Sequence, residues 1–422
     1  MLAKCNVVTK AGQANFRLSF VLVLFLCYGV AMIKENRTYS AASSHSPWMM
    51  NSHSREQSAQ QFNKVHKGRG AVSNDSGRFE PLQRAIFRDG WADGRNLDAQ
   101  PERLRTEVTD EFPKSVLTRN KSPDVPFDRS VNPYRGCEHG CVYCFARPTH
   151  AYMGLSPGLD FESKLFAKPD AAVILEAELS KKNYKAAPIA LGTNTDPYQP
   201  IERERKITRS ILKVLAAHDH PVTILTKSRL VVRDLDLLVP MARRGLVKVA
   251  LSVTTIDRTL ARALEPRAAM PQRRLDAIKL LSDAGVPTGV MFAPVIPALN
   301  DHEMEHVLAA AAHAGAKSAG YILLRLPLEV AGLFEEWLEE HYPDRKNRVL
   351  NRLAALRGGR LNDPRFKHRM KGKGIEADLM KQRFGNLCRR LHLNQNPTEL
   401  KTDLFRPPAG DQLGFNFDVS AA

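Results

Sequence analysis

Short apolar segments alternate along residues 126–326 with longer segments whose apolar positions recur at the period of an α-helix. The short segments predict buried strands at 130–134, 189–192, 222–226, 247–253, 287–293 and 318–324. The longer segments predict helices at 170–180, 205–218, 234–244, 272–284 and 301–314. This alternation predicts an α/β fold of parallel strands joined by right-handed crossovers. The periodicity alone permits either an open sheet or a barrel.

The rest of the sequence divides the chain into four parts. Residues 1–66 are an apolar run followed by a polar stretch, which we expect to lie outside the fold. Residues 67–125 begin with a glycine-rich basic stretch and are expected to form a strap over the core, which spans residues 126–328. Residues 329–422 are expected to form a helical extension and a tail, with helices at 329–341, 345–357 and 375–393.

The first part contains an apolar run that begins at Leu18 and ends at Ile33. A helix that spans a bilayer needs about 20 apolar residues, so this run is short for one. Two interpretations follow. The run is a membrane anchor, or it is translated upstream sequence and the working start of the protein is Met49 or Met50. We favour the second interpretation.

The composition indicates a class of partner and a compartment. A net charge of +17 favours polyanionic partners, nucleic acids first. The 6 cysteines in 422 residues do not form the dense pattern of a disulfide framework. They suit a reducing compartment, in which thiolates stay available to a metal. We therefore expect a cytoplasmic protein with no stable membrane partner.

Three of the cysteines, Cys137, Cys141 and Cys144, lie close together with the spacing C-x3-C-x2-C. A closed zinc site or an ordinary iron–sulfur cluster takes four protein ligands. Three thiolates can hold a [4Fe–4S] cluster at three irons and leave the fourth iron open. The triplet therefore indicates a catalytic metal site more than a structural one. The alternative is a structural zinc site that His139 or His150 completes.

With Tyr143 before its last cysteine, the triplet resembles the signature of the radical S-adenosylmethionine (SAM) enzymes. The resemblance implies a [4Fe–4S] cluster whose open iron binds the amino and carboxylate groups of SAM. One electron from the cluster then cleaves SAM to methionine and a 5′-deoxyadenosyl radical. It also implies a reducing partner such as flavodoxin or ferredoxin. The six β/α units would form a partial (β/α)6 TIM-like barrel.

Within that superfamily the chain is most similar to the spore photoproduct lyase-like branch and its DNA-repair chemistry, through CVYCFARPTHAY and GTNTDPYQP. In such barrels the chemistry lies at the carboxyl ends of the strands. The resemblance places several side chains around SAM: Tyr143 and Phe145 against the adenine, Asn194 near the amino-acid portion or the ribose, Lys227 at the carboxylate, Ser252 at the ribose or the carboxylate, and Arg267 as an alternative partner of the carboxylate. For Asn194 and Ser252, capping of a helix is the other interpretation. For Lys227 it is a solvated lysine at a strand end.

One residue of the lyase pattern is missing. The lyases carry a cysteine at the end of the second strand that donates a hydrogen atom, and residues 190–200 here contain no cysteine. Tyr198 is a candidate donor in its place, and the alternative is a tyrosine that only packs. The resemblance therefore predicts the cofactors and the first radical step but leaves the overall reaction open.

The last part of the chain contains two further candidates for binding. Residues 360–373, here called the basic loop, combine arginines and lysines with Phe366. This composition suits a nucleic acid, although a solvated loop is the other interpretation. In the tail, Gln412-Leu-Gly-Phe-Asn-Phe417 is similar to the Q-L-x-L-x-F peptide by which repair proteins bind the bacterial sliding clamp. A tail that folds back on its own domain would explain the same residues.

The sequence thus leads to one main hypothesis about function and two alternatives. The main hypothesis is a radical SAM enzyme that acts on a nucleic acid or a nucleotide, with a lyase-like repair reaction. The first alternative is a radical SAM enzyme that modifies RNA or a peptide. The second is a metal-bearing, nucleic-acid-binding protein without enzymatic activity, in which Cys137, Cys141 and Cys144 are structural.

Overall fold

The computed structural model describes residues 66–80 and 104–408. Several sequence expectations therefore lie outside the described residues. These are the apolar run from Leu18 to Ile33, the alternative starts at Met49 and Met50, and the clamp-like peptide from Gln412 to Phe417.

In the described part of the chain, ten strands form two sheets. They are β1 (Glu107–Asp110), β2 (Leu117–Arg119), β3 (Arg129–Val131), β4 (Tyr134–Arg135), β5 (Lys164–Ala167), β6 (Ile189–Leu191), β7 (Val222–Thr226), β8 (Val247–Ser252), β9 (Thr288–Val295) and β10 (Ser318–Leu323). The larger sheet has the order β10-β9-β8-β7-β6-β3-β2. Its strands from β3 to β10 are parallel, and β2 pairs antiparallel with β3 at one edge. The smaller sheet has the order β1-β5-β4.

Helices connect the parallel strands and follow the last one. They are Asp160–Ser163, Ala171–Leu179, Glu202–Arg205, Ile207–Ala217, Leu235–Arg243, Arg258–Leu264, Pro271–Asp283, Met304–His313, Val330–His341, Pro343–Ala355 and Ile375–Arg390. Short 3-10 helices add Arg147–Met153, Arg229–Asp234 and Asp301–Glu303. None of the helices between residues 104 and 408 has both the length and the apolar content that crossing a bilayer requires.

Six parallel β/α units in sequence order, without pairing between the two ends of the larger sheet, make a partial barrel. This confirms the predicted fold class. Side chains alternate between the two faces of each strand. In β7, Val222, Ile224 and Thr226 are buried on one face, while the residues between them are only partly buried. The main core lies between this sheet and the connecting helices.

The predicted segment 130–134 is not one strand, and this expectation is wrong. It divides into β3 and β4, which belong to different sheets. Pro133 lies at the break and has no N–H to contribute to a ladder. Asn132, the residue before it, serves the fold through its side chain, because its Oδ1 accepts hydrogen bonds from the Asn194 N–H (3.2 Å) and the Thr193 hydroxyl (3.5 Å).

A second apolar cluster joins the cysteine region to the helices after β10. It packs Val142 and Tyr143 against Leu264, Phe334 and Trp337, and all five are buried. The indole of Trp337 also donates a hydrogen bond to the Ala263 carbonyl at 3.1 Å. The helices that follow the barrel therefore support the segment that carries the cysteines.

We expect Gly192→Ala to lower the free energy of unfolding by about 2 kcal/mol or more. Gly192 follows β6 with φ of +87°, and an added Cβ would lie 2.0 Å from the Leu225 carbonyl oxygen. Gly332→Ala is the matched control, because Gly332 lies in the helix Val330–His341 and its added Cβ meets no atom within 4 Å. That change is expected to stabilise by about 0.5–1 kcal/mol. Urea titration followed by circular dichroism measures both, and equal effects of the two substitutions would contradict the proposed close approach.

Candidate active site

The cysteines lie in an irregular segment, residues 136–145, here called the cysteine loop. Gly136 and Gly140 turn its backbone with φ of +73° and +68°. Cys137 and Cys141 are buried, and Cys144 is partly exposed. An added Cβ on Gly136 would lie 2.9 Å from the Phe161 carbonyl oxygen, so a glycine is needed for the loop to pack this closely.

The loop is held on one side by the buried ion pair of Arg147 and Glu162. The Arg147 guanidinium donates hydrogen bonds to the backbone carbonyls of Cys141 (2.9 Å) and Gly140 (3.2 Å). The Glu162 carboxylate also accepts the N–H groups of Gly70 and Ala71, each at 2.9 Å. Because Gly70 approaches the Gly140 carbonyl so closely that a Cβ would lie 1.8 Å from it, the segment 66–80 packs directly on the loop.

A second attachment comes from the segment after β6. The amide of Gln199, fully buried, accepts the Glu138 N–H at 2.9 Å and donates to the Gly136 carbonyl at 3.1 Å. One side chain therefore satisfies backbone groups on both sides of Cys137. The carboxylate of Asp196 lies 3.4 Å from His139 Nδ1, and this contact joins the same two segments.

Asp196 also links the cysteine loop to the end of β7. It accepts the Thr226 hydroxyl at 2.7 Å and the Lys227 N–H at 2.8 Å. Burial by itself would raise the pKa of Asp196, but the charge of His139 and these hydrogen bonds lower it to about 2. Asp196 therefore stays ionised at neutral pH and holds three segments at the mouth of the barrel.

A third carboxylate, Glu265, anchors the middle of the loop. It accepts hydrogen bonds from the Tyr143 hydroxyl, from the Thr254 hydroxyl at 2.6 Å and from the Arg274 guanidinium. Burial opposes its ionisation, but the charges of Arg274 and Lys227 lower the pKa of Glu265 to about 2. The backbone reinforces this attachment, because the Val142 N–H donates to the Leu264 carbonyl at 3.2 Å.

Lys227 lies where a negatively charged ligand group would be stabilised. Its Nζ is 5.8 Å from the centroid of the Tyr143 ring. Burial lowers its pKa, but the neighbouring charges of Cys141 and Glu265 outweigh that effect and leave the pKa above its ordinary value. Along the described chain no carboxylate forms an ion pair with its ammonium group. The cation is therefore available to the carboxylate that the sequence resemblance assigns to it.

The donor set suits an iron–sulfur cluster. Burial raises the pKa of Cys141 to about 12 and that of Cys137 well above its ordinary value, so a positive centre is needed to keep these thiols ionised. In residues 66–80 and 104–408, no three His, Cys, Asp or Glu side chains converge on a position for a single metal ion. A [4Fe–4S] cluster does not require its thiolates to converge on one position, because each thiolate binds a different iron.

The histidines proposed for a zinc site are engaged by protein groups. His150 is buried with its Nε2 2.9 Å from the Lys164 carbonyl oxygen, and burial lowers its pKa to about 4. Its ring packs edge-on against Phe161. His139 faces Asp196. Each histidine thus has one polar contact with the protein, while the Nδ1 atoms of both are buried without a hydrogen-bond partner among the described residues.

Two of the residues assigned to SAM have polar groups without a protein partner among the described residues. The Asn194 backbone is fixed by Asn132, but its side-chain amide forms no hydrogen bond within that part of the chain. Ser252 ends β8, where its carbonyl accepts from Arg274 at 3.0 Å, and its hydroxyl has no partner in the same ranges. The roles of both residues toward SAM stay predictions.

The structure also shows the surroundings of the three remaining predicted site residues, Phe145, Arg267 and Tyr198. The Phe145 ring is 44% exposed, with the Arg325 guanidinium 4.4 Å from its centroid. Arg267 forms an ion pair with Glu138 at 2.9 Å, so its cation is already engaged. Tyr198 is fully buried and its hydroxyl donates to Asp234 at 3.1 Å, which favours packing over hydrogen-atom donation.

Sequence reasoning missed the residues that hold the loop in place: Arg147, Glu162, Asp196, Gln199, Glu265 and Arg274. The sequence offers one clue to three of them. Arg147, Asp196 and Gln199 lie inside the two quoted motifs, and a charged or polar side chain that becomes buried there needs a hydrogen-bonding partner. Nothing in the sequence identifies that partner, because Glu265 lies 122 residues from Tyr143.

We expect Glu265→Gln to lower the free energy of unfolding by about 3–5 kcal/mol, because it leaves the buried Arg274 guanidinium without its counter-ion. Asp283→Asn is the matched control, since Asp283 pairs with Lys279 at 2.9 Å on the surface. That change is expected to cost about 1 kcal/mol or less. Chemical denaturation of both variants measures the difference. A loss for Glu265→Gln no larger than for the control would show that the buried pair does not stabilise the site.

Comparisons with known proteins identify the family. The model of the radical SAM superfamily matches residues 131–311. An uncharacterised protein of Mycobacterium tuberculosis is 40% identical over 236 residues, which cover 55% of this chain and 69% of the relative. An uncharacterised protein of Methanocaldococcus jannaschii is 28% identical over 247 residues, covering 58% of this chain and 87% of the relative.

Among solved structures, spore photoproduct lyase complexed with dinucleoside spore photoproduct matches with 14% identity and a TM-score of 0.47, over 67% of this chain and 79% of that chain. The superfamily uses a [4Fe–4S] cluster and SAM, and its enzymes require a reducing partner. The family match and the mycobacterial relative together show that the chain belongs to the radical SAM superfamily.

Proposed function

We propose that the chain is a radical SAM enzyme that acts on a nucleic acid or a nucleotide, with a lyase-like repair reaction on DNA as its specific form. The observation that carries this proposal is a surface of exposed aromatic rings and partly exposed arginines that begins directly beside Cys144. It comprises Phe145, Arg325 and the basic loop, residues 360–373.

The part of this surface next to the cysteines is a stacked pair. Phe145 follows Cys144 in the chain, and the Arg325 guanidinium lies 4.4 Å from the Phe145 ring centroid. Burial and the positive charge of Arg369 lower the pKa of Arg325. A polyanion at this position would offset that repulsion. Rings and guanidinium planes of this kind stack with nucleobases and tolerate many base sequences.

The basic loop extends the surface and is held firmly. The buried Arg357 guanidinium donates to the Leu323 and Leu324 carbonyls at the end of β10, and to the Arg369 carbonyl at 3.1 Å. The Asp124 carboxylate accepts the Lys367 N–H at 2.6 Å and Arg369 Nε at 2.7 Å. Asp363 and Asp124 pair with Arg365 and Arg369. Among the described residues, the exposed Arg360, Lys367 and Lys371 of the loop form no ion pair.

Within the basic loop a second aromatic ring is exposed. Phe366 is 52% exposed, and the Arg369 guanidinium lies 4.9 Å from its centroid. The arrangement repeats that of Phe145 and Arg325. Because the charge of Arg369 acts on Arg325, we infer that the two rings belong to one surface. Aromatic rings in a positive groove are the usual features of a site for single-stranded nucleic acid.

The remaining assignments to SAM belong to the same proposal. When bound, the cluster supplies the electron that splits SAM into methionine and a 5′-deoxyadenosyl radical. Lys227 would hold the carboxylate of SAM, while Asn194 and Ser252 would bind its amino-acid portion or ribose. Tyr143 would present its ring to the adenine while its hydroxyl stays bound to Glu265. A cytoplasmic location would give the enzyme the reducing donor it requires.

The first test is SAM cleavage. After anaerobic reconstitution with iron and sulfide and reduction with dithionite, we expect the protein to form 5′-deoxyadenosine, measured by liquid chromatography and mass spectrometry. Cys141→Ala should abolish the product, because it removes one of the three thiolates of the triplet. Cys388→Ala is the control, since Cys388 lies in the distant helix Ile375–Arg390. Stoichiometric zinc with no 5′-deoxyadenosine would support the non-enzymatic alternative instead.

The second test is nucleic-acid binding. Phe145→Ala and Phe366→Ala should each weaken binding to a fluorescent single-stranded DNA by about 1–3 kcal/mol, roughly 5- to 150-fold, because each removes a stacking ring. Phe112→Ala is the control, since Phe112 is 67% exposed and has no ring contact in the described chain. Fluorescence anisotropy with DNA and RNA of the same sequence measures the affinities. Tighter binding of RNA would favour the RNA-modifying alternative, and equal effects of all three substitutions would contradict the proposed surface.

A further inference from the structure

A cavity of about 590 Å³ opens beside the cysteine loop, between the segments that follow β6, β7 and β8. Among the described residues, five arginines line it and no carboxylate does. They are Arg203, Arg229, Arg233, Arg267 and Arg273. We call it the arginine cavity. The residues assigned to SAM, apart from Arg267, lie outside it.

The arginine cavity reaches the cluster-binding segment directly. His139, which lies between Cys137 and Cys141, forms part of its wall. Arg267 in the same wall donates its backbone N–H to the His139 carbonyl at 3.3 Å and pairs with Glu138 through its side chain. A molecule in the cavity would therefore contact the loop that carries the thiolates.

The charge of the cavity is only partly neutralised. Arg233 pairs with Glu202 and Asp234, and Arg267 pairs with Glu138. The other three arginines, Arg203, Arg229 and Arg273, are exposed. Throughout the described ranges they form no ion pair. Three uncompensated positive charges at the rim of one cavity favour an acidic partner.

The lining is typical of a protein interface more than of a nucleic-acid surface. Between the arginines lie apolar side chains, including Leu230, Val232 and Ala268, and no lysine lines the cavity. Arginine is enriched and lysine depleted at protein interfaces. Its aromatic residue besides His139 is Tyr198, which is fully buried and offers no face to a base. By contrast, Phe145 and Phe366 have exposed rings on which a base could stack.

We propose that the arginine cavity is the docking surface for an acidic one-electron carrier protein of the flavodoxin or ferredoxin type. The carrier is oxidised by one electron, and the cluster held by Cys137, Cys141 and Cys144 is reduced by the same electron. No bond forms or breaks in this step. The inference rests on the proposed function, since only a redox-active cluster needs such a donor. Opposite charges would speed the encounter and give it a strong dependence on salt.

The test uses the full-length, cluster-loaded protein and a bacterial flavodoxin. In the variant Arg203→Gln, Arg229→Gln, Arg273→Gln, the affinity for oxidised flavodoxin, measured by biolayer interferometry, should fall about tenfold or more. The control variant Arg243→Gln, Arg348→Gln, Arg390→Gln removes the same charge from exposed arginines outside the cavity and should bind as the parent does. Binding by the parent should weaken with rising ionic strength. Equal binding by both variants would overturn the proposal.

Formation of 5′-deoxyadenosine separates this inference from the proposed function. With dithionite as the reductant, the parent and both variants should form the product at equal rates. With reduced flavodoxin, the cavity variant should be slower by about the factor lost in affinity. No product with dithionite in the parent would contradict the proposed function, whereas equal flavodoxin-driven rates would contradict the docking surface alone. A larger loss of affinity for single-stranded DNA than for flavodoxin would assign the cavity to nucleic acid and overturn the proposal.

Discussion

The position of the cysteine loop depends on three carboxylates: Glu162 and Glu265, which are buried, and Asp196, which is largely shielded from solvent. The loop has almost no regular secondary structure, so its backbone groups need partners from elsewhere. Each carboxylate reaches it through one side chain: Arg147 for Glu162, His139 for Asp196 and Tyr143 for Glu265. A buried carboxylate is tolerated only when it is paired and hydrogen-bonded, and each of these three is. A displacement of the loop would therefore break contacts with all three carboxylates at once.

The need for partners to the cysteine loop explains why carboxylates lie at the carboxyl ends of the barrel strands. Asp196 follows β6 and accepts hydrogen bonds from the end of β7, while Glu265 follows β8. The carboxyl ends of parallel strands meet at one edge of a sheet, so carboxylates from separate β/α units converge on the same loop. The same convergence brings Lys227 near enough to Cys141 and Glu265 for their charges to outweigh the effect of burial and raise its pKa. A cation at that place offsets negative charge within the fold, and under the proposed function it would also pair with the carboxylate of SAM.

The strands and long helices could be predicted from the sequence because their signal is local. β7 was expected at 222–226 and is Val222–Thr226, since alternation and β-branched residues mark it without reference to any neighbour. The helix Arg258–Leu264 was missed because seven residues are too few to show a period. The cysteines were recognisable from spacing alone. Glu265 was not recognised as a loop anchor, because its partners Tyr143 and Arg274 come from other segments and a glutamate is ordinarily expected at the surface.

A net charge of +17 by itself does not distinguish a nucleic-acid partner from an acidic protein. In the structure, the positively charged residues fall into two groups, buried and at least partly exposed. Arg147, Arg274 and Arg357 are buried and bind carboxylates or carbonyls, so they attract no partner at all. The exposed cations then separate by their neighbours. Beside Phe145 and Phe366 the partly exposed Arg325 and Arg369 accompany exposed aromatic rings, on which bases can stack. In the arginine cavity exposed arginines surround aliphatic side chains, which protein interfaces prefer. If both proposals hold, the same excess of positive charge would serve two partners with different chemistry, a nucleic-acid substrate and an electron donor.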